Sequence, residues 1–595
     1  MRIEDLAIIG DTQTLAVVGK DGGVHWLCLP RFDSQACFSS LLGGKEHGCW
    51  TIAPKEVTRV ERRYRKDSLV LETDFVTPTG TVRVTDAMPV RGEAPDVVRV
   101  VEGLSGSVEV CVELVIRFDY GRTVPWVRKL DGRLCAVAGP NALVLATPAE
   151  LHGQDLTTVG RLAIHRGDRV PFTLTWYRSH EAPPRSPDPY VSIDETDRTW
   201  RKWTARCQGH APYCDDIARS LLTLKALTYA PTGGVVAAGT TSLPEAIGGV
   251  RNWDYRYCWL RDAAFSLYAM LHAGYHEEAA AWRDWLLRAI AGAPKDLQIM
   301  YGPAGERYLD ERTLDWLPGY EDSRPVRIGN AAATQLQLDV YGEVLDTFHQ
   351  ARRFGVPPDP DSWPLQRAIA DWLESSWQQP DEGLWEIRGP RRDFTFSKVM
   401  AWVGMDRVVK AVEQHQMEGP VDRWRRAREA ICRDVCEKGW DAERNTFTQS
   451  YGSRDLDASL LLIPTVGFLK PHDPRVIGTV AAIERELVRD GFVLRYPTSE
   501  GPNIDGLRGS EGAFLACSFW LVDAYVLTGR RKEAWRLFER LLAVRNDLGL
   551  MSEEYDVQRK RLVGNFPQAF SHVALVNSAR ALTTDEGAAQ LRKET

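Results

Sequence analysis

Long apolar runs are missing from this sequence of 595 residues, and so is any excess of basic charge. No segment approaches the roughly 18 consecutive apolar residues that a membrane-spanning helix needs. The opening segment, MRIEDLAIIGDTQTLAVVGKDGG, is acidic early and has no continuous apolar stretch, so we expect no secretory signal. The net charge of −7 offers nucleic acid no basic face. We therefore expect a cytoplasmic protein without a membrane or nucleic-acid partner.

Paired cysteines and metal-binding clusters are also missing. The eleven cysteines are scattered without a CxxC pair, which favours reduced thiols over a disulfide framework. His272, His415 and His572 are isolated from other candidate ligands, and no Gly-x-Ser-x-Gly elbow is present. We expect neither a metal nor a cofactor.

The first part of the chain has the pattern of an all-β domain. Hydrophobic content of 44% is that of a globular protein, and the length allows two or more domains. Up to about residue 180, short runs such as TLAVVGK, GTVRVTDAM and PFTLTWYR alternate and are separated by KDGG and LDGR turns. This spacing predicts an antiparallel β-sandwich over residues 1–180. The proline-rich segment HEAPPRSPDPYVSIDE predicts a linker over 181–200.

The rest of the chain has the period of helices, about twelve of them, in two alternating classes. One class is amphipathic, as in EEAAAWRDWLLRAI, and the other is apolar nearly all round, as in DAAFSLYAMLHAG, GNAAATQLQLDVYG and SLLLIPTVGFL. A helix that is apolar on every face is buried on every face. Alternation of the two classes predicts an inner ring of helices wrapped by an outer ring, an (α/α)6 barrel over 201–583, with 584–595 as a tail.

The unusual side chains are concentrated in the segments that lead into the inner helices, which should open on one rim of the barrel. These segments contain carboxylates among Trp, Tyr and Arg. Glu386 follows Trp385 in GLWEIRG, and LMSEEYD offers Glu553 and Glu554. Hydrolysis of a glycosidic bond needs one carboxylic acid as proton donor and a second carboxylate as nucleophile or water activator. Apolar neighbours raise the pKa of such a donor by disfavouring its charged form.

The chain resembles family 15 of the glycoside hydrolases, the glucoamylase and trehalase family. The resemblance rests on RNWDYRYCWLRDA, GYEDSRPVRIGNAA, GLWEIRG and LMSEEYD in this order. The segment GDTQTLAVVGKDGGVHWLCLPRFDSQACF is similar to the β-sandwich domain of the family's prokaryotic members. The resemblance implies inversion at the anomeric carbon, with two carboxyl groups about 6.5–9.5 Å apart.

The resemblance also assigns roles to single residues. It implies Glu386 as general acid and Glu553 as general base, with Glu554 as the alternative base. Arg261 and Asp262 match the pair that binds the outer hydroxyls of the terminal glucose, and Arg495 matches an arginine at the cleavage point. The residues expected to bind substrate are Trp259, Arg261, Asp262, Tyr320, Arg327, Trp385, Arg495 and Glu511.

Two local features accompany these assignments. Gly383 stands where fungal glucoamylases carry an aspartate three residues before the acid, although Asp381 and Glu382 lie close by. We expect Arg251, Asp254 and Arg256 to brace the RNWDYRYCWLRDA loop through ion pairs.

The expected reaction is the release of glucose from the end of a small α-glucoside. Trehalose is the first candidate substrate, and maltose- or isomaltose-type oligosaccharides are the second. A disaccharide phosphorylase, which lacks the second carboxylate, and a non-catalytic sugar-binding protein remain as alternatives. The segment LPRFDSQACF at 29–38 could reach over the site and close it. The sequence leaves the oligomeric state open.

Overall fold

The computed structural model describes residues 1–207, 213–357, 359–498 and 503–583. The predicted tail at 584–595 lies outside these residues. Within the described part of the chain, no helix combines the length and the apolar character needed to cross a membrane.

The N-terminal part is one network of fifteen antiparallel strands. The 20-residue strand β9 holds it together, because its first half pairs with β15 (residues 96–102) and β8 (98–106), whereas its second half pairs with β14 (107–114) and β5 (110–115). Valines fill most of its buried positions, as expected of β-branched residues in a sheet. The strands are β1 (Leu6–Gly10), β2 (Leu15–Gly19), β3 (Gly23–Cys28), β4 (Ala36–Phe38), β5 (Cys49–Pro54), β6 (Arg59–Tyr64), β7 (Leu71–Thr77), β8 (Gly80–Ala87), β9 (Asp96–Val115), β10 (Trp126–Leu130), β11 (Arg133–Ala138), β12 (Asn141–Ala146), β13 (His152–Gln154), β14 (Thr157–His165) and β15 (Arg169–Arg178).

The C-terminal part is helical. Six amphipathic helices alternate along the chain with segments that are buried almost all round. Each amphipathic helix buries a single stripe of side chains. In Arg531–Leu542 this stripe consists of Ala534, Leu537, Phe538 and Leu541. The single turn α1 (Phe118–Gly121) lies between β9 and β10 in the N-terminal part. The helices that follow the sheet are α2 (Pro189–Thr204), α3 (Cys214–Ala226), α4 (Leu260–His272), α5 (His276–Ala289), α6 (Asp339–Arg353), α7 (Ser362–Ser376), α8 (Thr395–His415), α9 (Val421–Lys438), α10 (Pro474–Glu486), α11 (Leu515–Leu527), α12 (Arg531–Leu542) and α13 (Ala569–Thr583).

Helix α2 corrects the prediction of an irregular linker, because residues 189–200 of that segment are helical. The Asp188 side chain accepts hydrogen bonds from the backbone N–H groups of Tyr190 and Val191, and Pro189 occupies the first turn. Both features start a helix. Ile193 then packs in a small core with Val70 and Val98 of the sheet, so the proline-rich composition describes only the residues before the cap.

The buried helices contact one another in sequence. α4 contacts α6, α6 contacts α8, α11 contacts α13, and α13 returns to α4. Between α8 and α11 lies a short 3-10 helix, Ala458–Leu462, which contacts both. The segment SLLLIPTVGFL was predicted as a full helix; this was wrong, because Pro464 has no N–H group and disfavours helical geometry in the residue before it.

The second buried helix also begins later than predicted. In GNAAATQLQLDVYG the Asn330 side chain accepts a hydrogen bond from the Ala332 N–H, which caps a separate 3-10 turn at Ala331–Thr334. The chain is extended at Gln335, and α6 starts only at Asp339. The segments that lead into buried helices are consequently long, such as 290–338 and 543–568, whereas the return segments 273–275 and 528–530 are short.

Candidate active site

A small cavity enclosing about 420 Å³ of empty space lies where the long segments converge. Its fourteen lining side chains come from four of them, within 245–259, 330–332, 385–388 and 495–507. Of the predicted site residues, Trp259, Trp385, Glu386 and Arg495 line it directly. The sequence therefore predicted some of the residues that line the cavity, but not most of them.

Glu386, the predicted proton donor, has its carboxylate held inside this cavity. Its Oε1 accepts hydrogen bonds from Trp259 Nε1 at 3.0 Å and Arg261 Nη1 at 3.3 Å. Its backbone has φ of +52°, a left-handed conformation that is uncommon for glutamate and is found where function constrains the chain. Burial raises the pKa of Glu386, and Arg261 opposes the rise without cancelling it.

The loop that carries Glu386 is anchored at several points. Trp385 Nε1 donates to both carboxylate oxygens of Asp457 at 3.0 Å. Asp381 accepts a hydrogen bond from the Leu338 N–H at 2.9 Å, and Glu382 accepts one from the Leu336 N–H at 2.9 Å. The two carboxylates next to Gly383 thus fix the loop to the chain that precedes α6.

Arg261 and Asp262, the predicted pair for the terminal glucose, lie in the first turn of α4 beside Glu386. Arg261 Nε donates to Asp262 Oδ1 at 2.8 Å, and Arg261 Nη1 donates to the carbonyl oxygen of Leu384 at 2.6 Å. Burial raises the pKa of Asp262 despite this partner. The pair is buried next to the Glu386 carboxyl, and neither residue lines the cavity.

Glu553, the predicted base, is fully buried and lies behind the cavity wall. Its Oε2 accepts a hydrogen bond from the Asn565 N–H at 3.4 Å, and its Oε1 accepts none from the described residues. Burial and the neighbouring Glu245 carboxylate raise the pKa of Glu553 to about 8, whereas the Arg495 guanidinium and Tyr255 side chain oppose the rise. Both Glu245 and Tyr255 line the cavity, so Glu553 interacts with two lining residues although it does not line the cavity itself.

Tyr255 connects the two predicted catalytic groups. Its ring packs edge-on against Trp259 with centroids 5.1 Å apart, and Trp259 binds Glu386. Burial raises the pKa of the Tyr255 hydroxyl, and the charges of Glu553, Glu245 and Glu386 raise it further. Tyr255 therefore lies within electrostatic reach of both Glu386 and Glu553.

Glu554, the alternative base, belongs to a different cluster. It lies in the short strand Glu554–Asp556, and successive strand residues face opposite sides. Its Oε1 is 3.5 Å from Nη2 of Arg495. Arg495 also donates from Nη2 to Glu245 at 2.8 Å and, through two nitrogens, to Glu511 at 2.9 and 2.6 Å.

This Arg495 cluster contains more carboxylates than cations. Glu245, Glu511 and Glu554 each bring one carboxylate oxygen within 4.8 Å of the others, and Arg495 is the cation among them. Arg251 pairs with Asp505 and lies 3.5 Å from Glu511. Burial raises the pKa of Glu245 to about 7. The cluster favours retention of a proton, because like charges at this spacing cannot all ionise.

Glu245 is a lining residue that the sequence did not predict. It lines the cavity, and its Oε1 accepts no hydrogen bond from the described residues. Its segment, GTTSLPEAIGG, resembles no known motif of catalytic carboxylates. The available signal was position, since this segment belongs to the long stretch before α4.

Two of the residues predicted to bind substrate, Tyr320 and Arg327, do not line the cavity. The Tyr320 hydroxyl donates to the carbonyl oxygen of Met1 at 2.7 Å and accepts from Arg561 Nη2 at 3.0 Å, so it contacts the N-terminal part instead of the cavity. Arg327 donates to the carbonyl oxygens of Val250 and Asn252 and lies over the ring of Trp253, a lining residue.

The loop before α4 is braced as expected. Arg256 and Asp254 form a fully buried bidentate pair, with Nε–Oδ1 at 2.8 Å and Nη2–Oδ2 at 2.6 Å. Arg256 also donates to the Ser34 carbonyl oxygen at 3.0 Å. Segment 29–38 therefore supports this loop from behind, and none of its residues lines the cavity. The expectation that segment 29–38 reaches over the site is therefore wrong.

Comparison with known proteins agrees with this architecture. Residues 211–580 match Glycosyl hydrolases family 15, and residues 1–154 match the N-terminal domain described as trehalase-like. The chain is 39% identical to a trehalase of Mycobacterium tuberculosis over 97% of this chain and 89% of that protein. It is 34% identical to a trehalase of Thermoplasma volcanium over 98% of this chain and 93% of that protein.

The fold also has a solved counterpart. The crystal structure of a bacterial glucoamylase complexed with acarbose superimposes with a TM-score of 0.74 over 99% of this chain and 95% of that one, at 12% sequence identity. Because the family match spans more than half of the chain and the two trehalases align over nearly all of it, the chain belongs to family 15 of the glycosyl hydrolases.

Proposed function

We propose that the protein is an inverting, exo-acting glycosidase that hydrolyses α,α-trehalose to two molecules of glucose. The observation that carries the proposal is Glu386, a partly buried carboxyl with a raised pKa that lines a small cavity, together with a second, fully buried carboxyl, Glu553, which interacts with the lining residue Tyr255. The trehalases that align over nearly the whole chain support this substrate.

The two carboxyl groups have complementary roles in this mechanism. Protonated Glu386 donates its proton to the glycosidic oxygen as the bond to the anomeric carbon breaks. Ionised Glu553 accepts a proton from a water molecule, which attacks the anomeric carbon from the opposite face. The glucose that water attacks is released as the β anomer, and the other glucose, which is the leaving group, keeps the α configuration. Oε1 of Glu553, which accepts no hydrogen bond within the described part of the chain, is the acceptor for that proton.

The remaining predicted residues hold the terminal glucose. Arg261 and Asp262 exchange part of their mutual pairing for hydrogen bonds to its outer hydroxyl groups. Trp259 and Trp385 form apolar walls beside the sugar ring, and Arg495 contacts the sugar at the cleavage point. Glu511 acts through Arg495, which it holds with two hydrogen bonds.

We infer the same architecture as predicted: an antiparallel β-sandwich over 1–180, then an (α/α)6 barrel over 201–583. The closed circuit of contacts through α4, α6, α8, residues 458–462, α11 and α13 supports six inner segments. The contacts of β1 with β7 and β8 support two sheet layers that face each other. All eleven cysteines are free thiols, which supports a reducing compartment, the cytoplasm.

The charge of the site disfavours a phosphorylase. A phosphorylase must place an anionic phosphate where the hydrolase places water. Glu245 instead lines the cavity with a carboxyl group, and Glu511, Glu553 and Glu554 add further buried carboxyl groups next to Glu245. Glucosidases for maltose- or isomaltose-type substrates share the same catalytic carboxyls, so they remain the second candidate.

The deciding experiment is to incubate the purified protein with trehalose, maltose, isomaltose and maltotriose and to follow the products by NMR. We expect trehalose to be the best substrate and to yield equal initial amounts of α- and β-glucose. The Glu386→Gln variant is the control for contaminating glucosidases. Preferred hydrolysis of maltose would contradict the proposed substrate, and α-glucose alone would contradict inversion.

A further inference from the structure

Trp253, at the wall of the cavity, is held by two arginines. The guanidinium carbon of Arg327 lies 4.5 Å from the centre of the Trp253 ring, and that of Arg388 lies 4.2 Å from it. Glu311 joins the two arginines, at 3.4 Å from Arg327 Nε and 2.8 Å from Arg388 Nη2. Cation–π attraction and ion pairing together fix both guanidinium groups in place.

Arg388 lies at the outer end of the cavity. It follows Glu386 by two residues, and it is the one exposed residue among the fourteen lining residues. The inner contacts of Glu386 go to Trp259 and Arg261, both buried. The Arg388 backbone N–H donates to the Asp505 carbonyl oxygen at 3.0 Å, which fixes this end of the loop.

The position of the proton donor defines which sugar meets Arg388. The glycosidic oxygen must lie at Glu386, with the terminal glucose on the side of Arg261. The sugar on the other side of that oxygen must then extend toward the mouth, where Arg388 and Trp253 form the wall. An arginine side chain has five N–H donors. Among the described residues, the hydrogen bonds of the Arg388 side chain go to Glu311 alone, so N–H donors remain for sugar hydroxyl groups.

We propose that Arg388 binds the leaving glucose and thereby sets the preference of the enzyme for its disaccharide. Trp253, Arg327 and Glu311 are positioning residues that hold the guanidinium before substrate arrives, which reduces the ordering cost of binding. Hydroxyl groups of the leaving glucose point in different directions in 1,1-, 1,4- and 1,6-linked substrates. A fixed hydrogen-bond donor discriminates strongly between such arrangements. The inference rests on the proposed function.

The test compares a substrate that has a leaving sugar with one that has none. α-Glucosyl fluoride occupies the terminal-glucose position and releases fluoride, so it does not reach Arg388. We expect Arg388→Ala to lower kcat/KM for trehalose by roughly 10- to 100-fold, as for a lost hydrogen bond to a charged group, and to leave hydrolysis of glucosyl fluoride unchanged. Arg388→Lys keeps the charge but loses the planar fork and should recover only part of the activity.

A matched control comes from the same loop. Arg391, which pairs with Glu382 at 2.9 Å and does not line the cavity, is replaced in Arg391→Ala. This variant should match the wild-type protein on both substrates. Trp253→Phe keeps an aromatic ring and should mainly raise KM for trehalose. Thermal melting of each variant reports whether it folds, and Arg388→Gln replaces the alanine variant if that one does not.

Three outcomes decide the inference. Equal losses on trehalose and glucosyl fluoride, or no loss on trehalose, would overturn the role of Arg388. A selective loss on trehalose would support it. If the wild-type protein hydrolyses maltose and glucosyl fluoride but not trehalose, the proposed substrate fails, and a selective loss on maltose in Arg388→Ala would still establish the leaving-sugar site.

Discussion

Arg261 Nη1 lies 3.3 Å from Oε1 of Glu386, so a buried guanidinium contacts the proposed proton donor. The same arginine pairs with Asp262 and with the carbonyl oxygen of Leu384. It therefore has two effects on the donor: its charge lowers the pKa of Glu386, and its hydrogen bonds fix the carboxyl in the cavity.

Removal of this positive charge should shift the pH profile. In Arg261→Gln the pKa of Glu386 loses its main opposing influence and rises further. Because the donor must be protonated, the alkaline limb of kcat/KM should move to higher pH, and the maximal rate should fall because a sugar contact is lost. Profiles of kcat/KM against pH measure this, with Arg261→Lys as the charge-preserving control. An alkaline limb that stays in place or moves to lower pH would contradict the assignment.

Glu245→Gln should shift the opposite limb. The Glu245 carboxylate adds to burial in raising the pKa of Glu553 to about 8, and the pKa of Glu245 itself is about 7. With a neutral side chain at 245, Glu553 loses its proton more easily, so the acidic limb of kcat/KM should move to lower pH. Glu245→Asp keeps the charge and should shift less. Unchanged acidic limbs in both variants would show that Glu245 does not influence the base.

The two candidate bases can be separated by matched amides. Glu386→Gln and Glu553→Gln should each lower kcat by roughly 10²–10⁴-fold, the usual loss for a general acid or base. Burial and the neighbouring Glu245 charge raise the pKa of Glu554 well above its usual value. Glu554→Gln therefore resembles the protonated carboxyl and should retain much more activity. The measurement is kcat for trehalose together with thermal melting of each variant. A larger loss in Glu554→Gln than in Glu553→Gln would transfer the role of base to Glu554.

The buried pair Asp254–Arg256 should dominate the stability of its loop. Arg256→Ala leaves the Asp254 carboxylate buried without its partner and should cost about 3–5 kcal/mol in the free energy of unfolding. The double variant Asp254→Asn with Arg256→Gln removes both charges and should lose less than the single one. Urea unfolding measures both. A loss in the double variant as large as that of Arg256→Ala, or larger, would contradict this expectation.

The sequence predicted the elements of this fold better than their ends. Alternating valines identified the strands, and apolar periodicity identified the buried helices, because both patterns are local. The missed features depend on single residues: Pro464 limits the buried segment SLLLIPTVGFL to a short 3-10 helix, and Asn330 caps a separate turn before α6.

Site residues divide in a similar way. Glu386, Trp259 and Arg495 lie in motifs, so the sequence could locate them. Glu245 and Arg388 become visible only when segments far apart in the chain meet around one cavity. Tyr320 shows the converse, since a residue in a rim motif can serve the contact with the N-terminal part.

The Ser34 carbonyl oxygen, which accepts a hydrogen bond from Arg256, comes from the N-terminal half, as do Trp26 and Tyr120, whose rings lie 5.8 and 5.5 Å from the Arg256 guanidinium. The helical half therefore depends on its neighbour for the surroundings of a buried cation in the loop before α4. A helical fragment expressed alone would expose Arg256 to water and release that loop, and a chimera with another relative's sheet would need matching groups at these three positions.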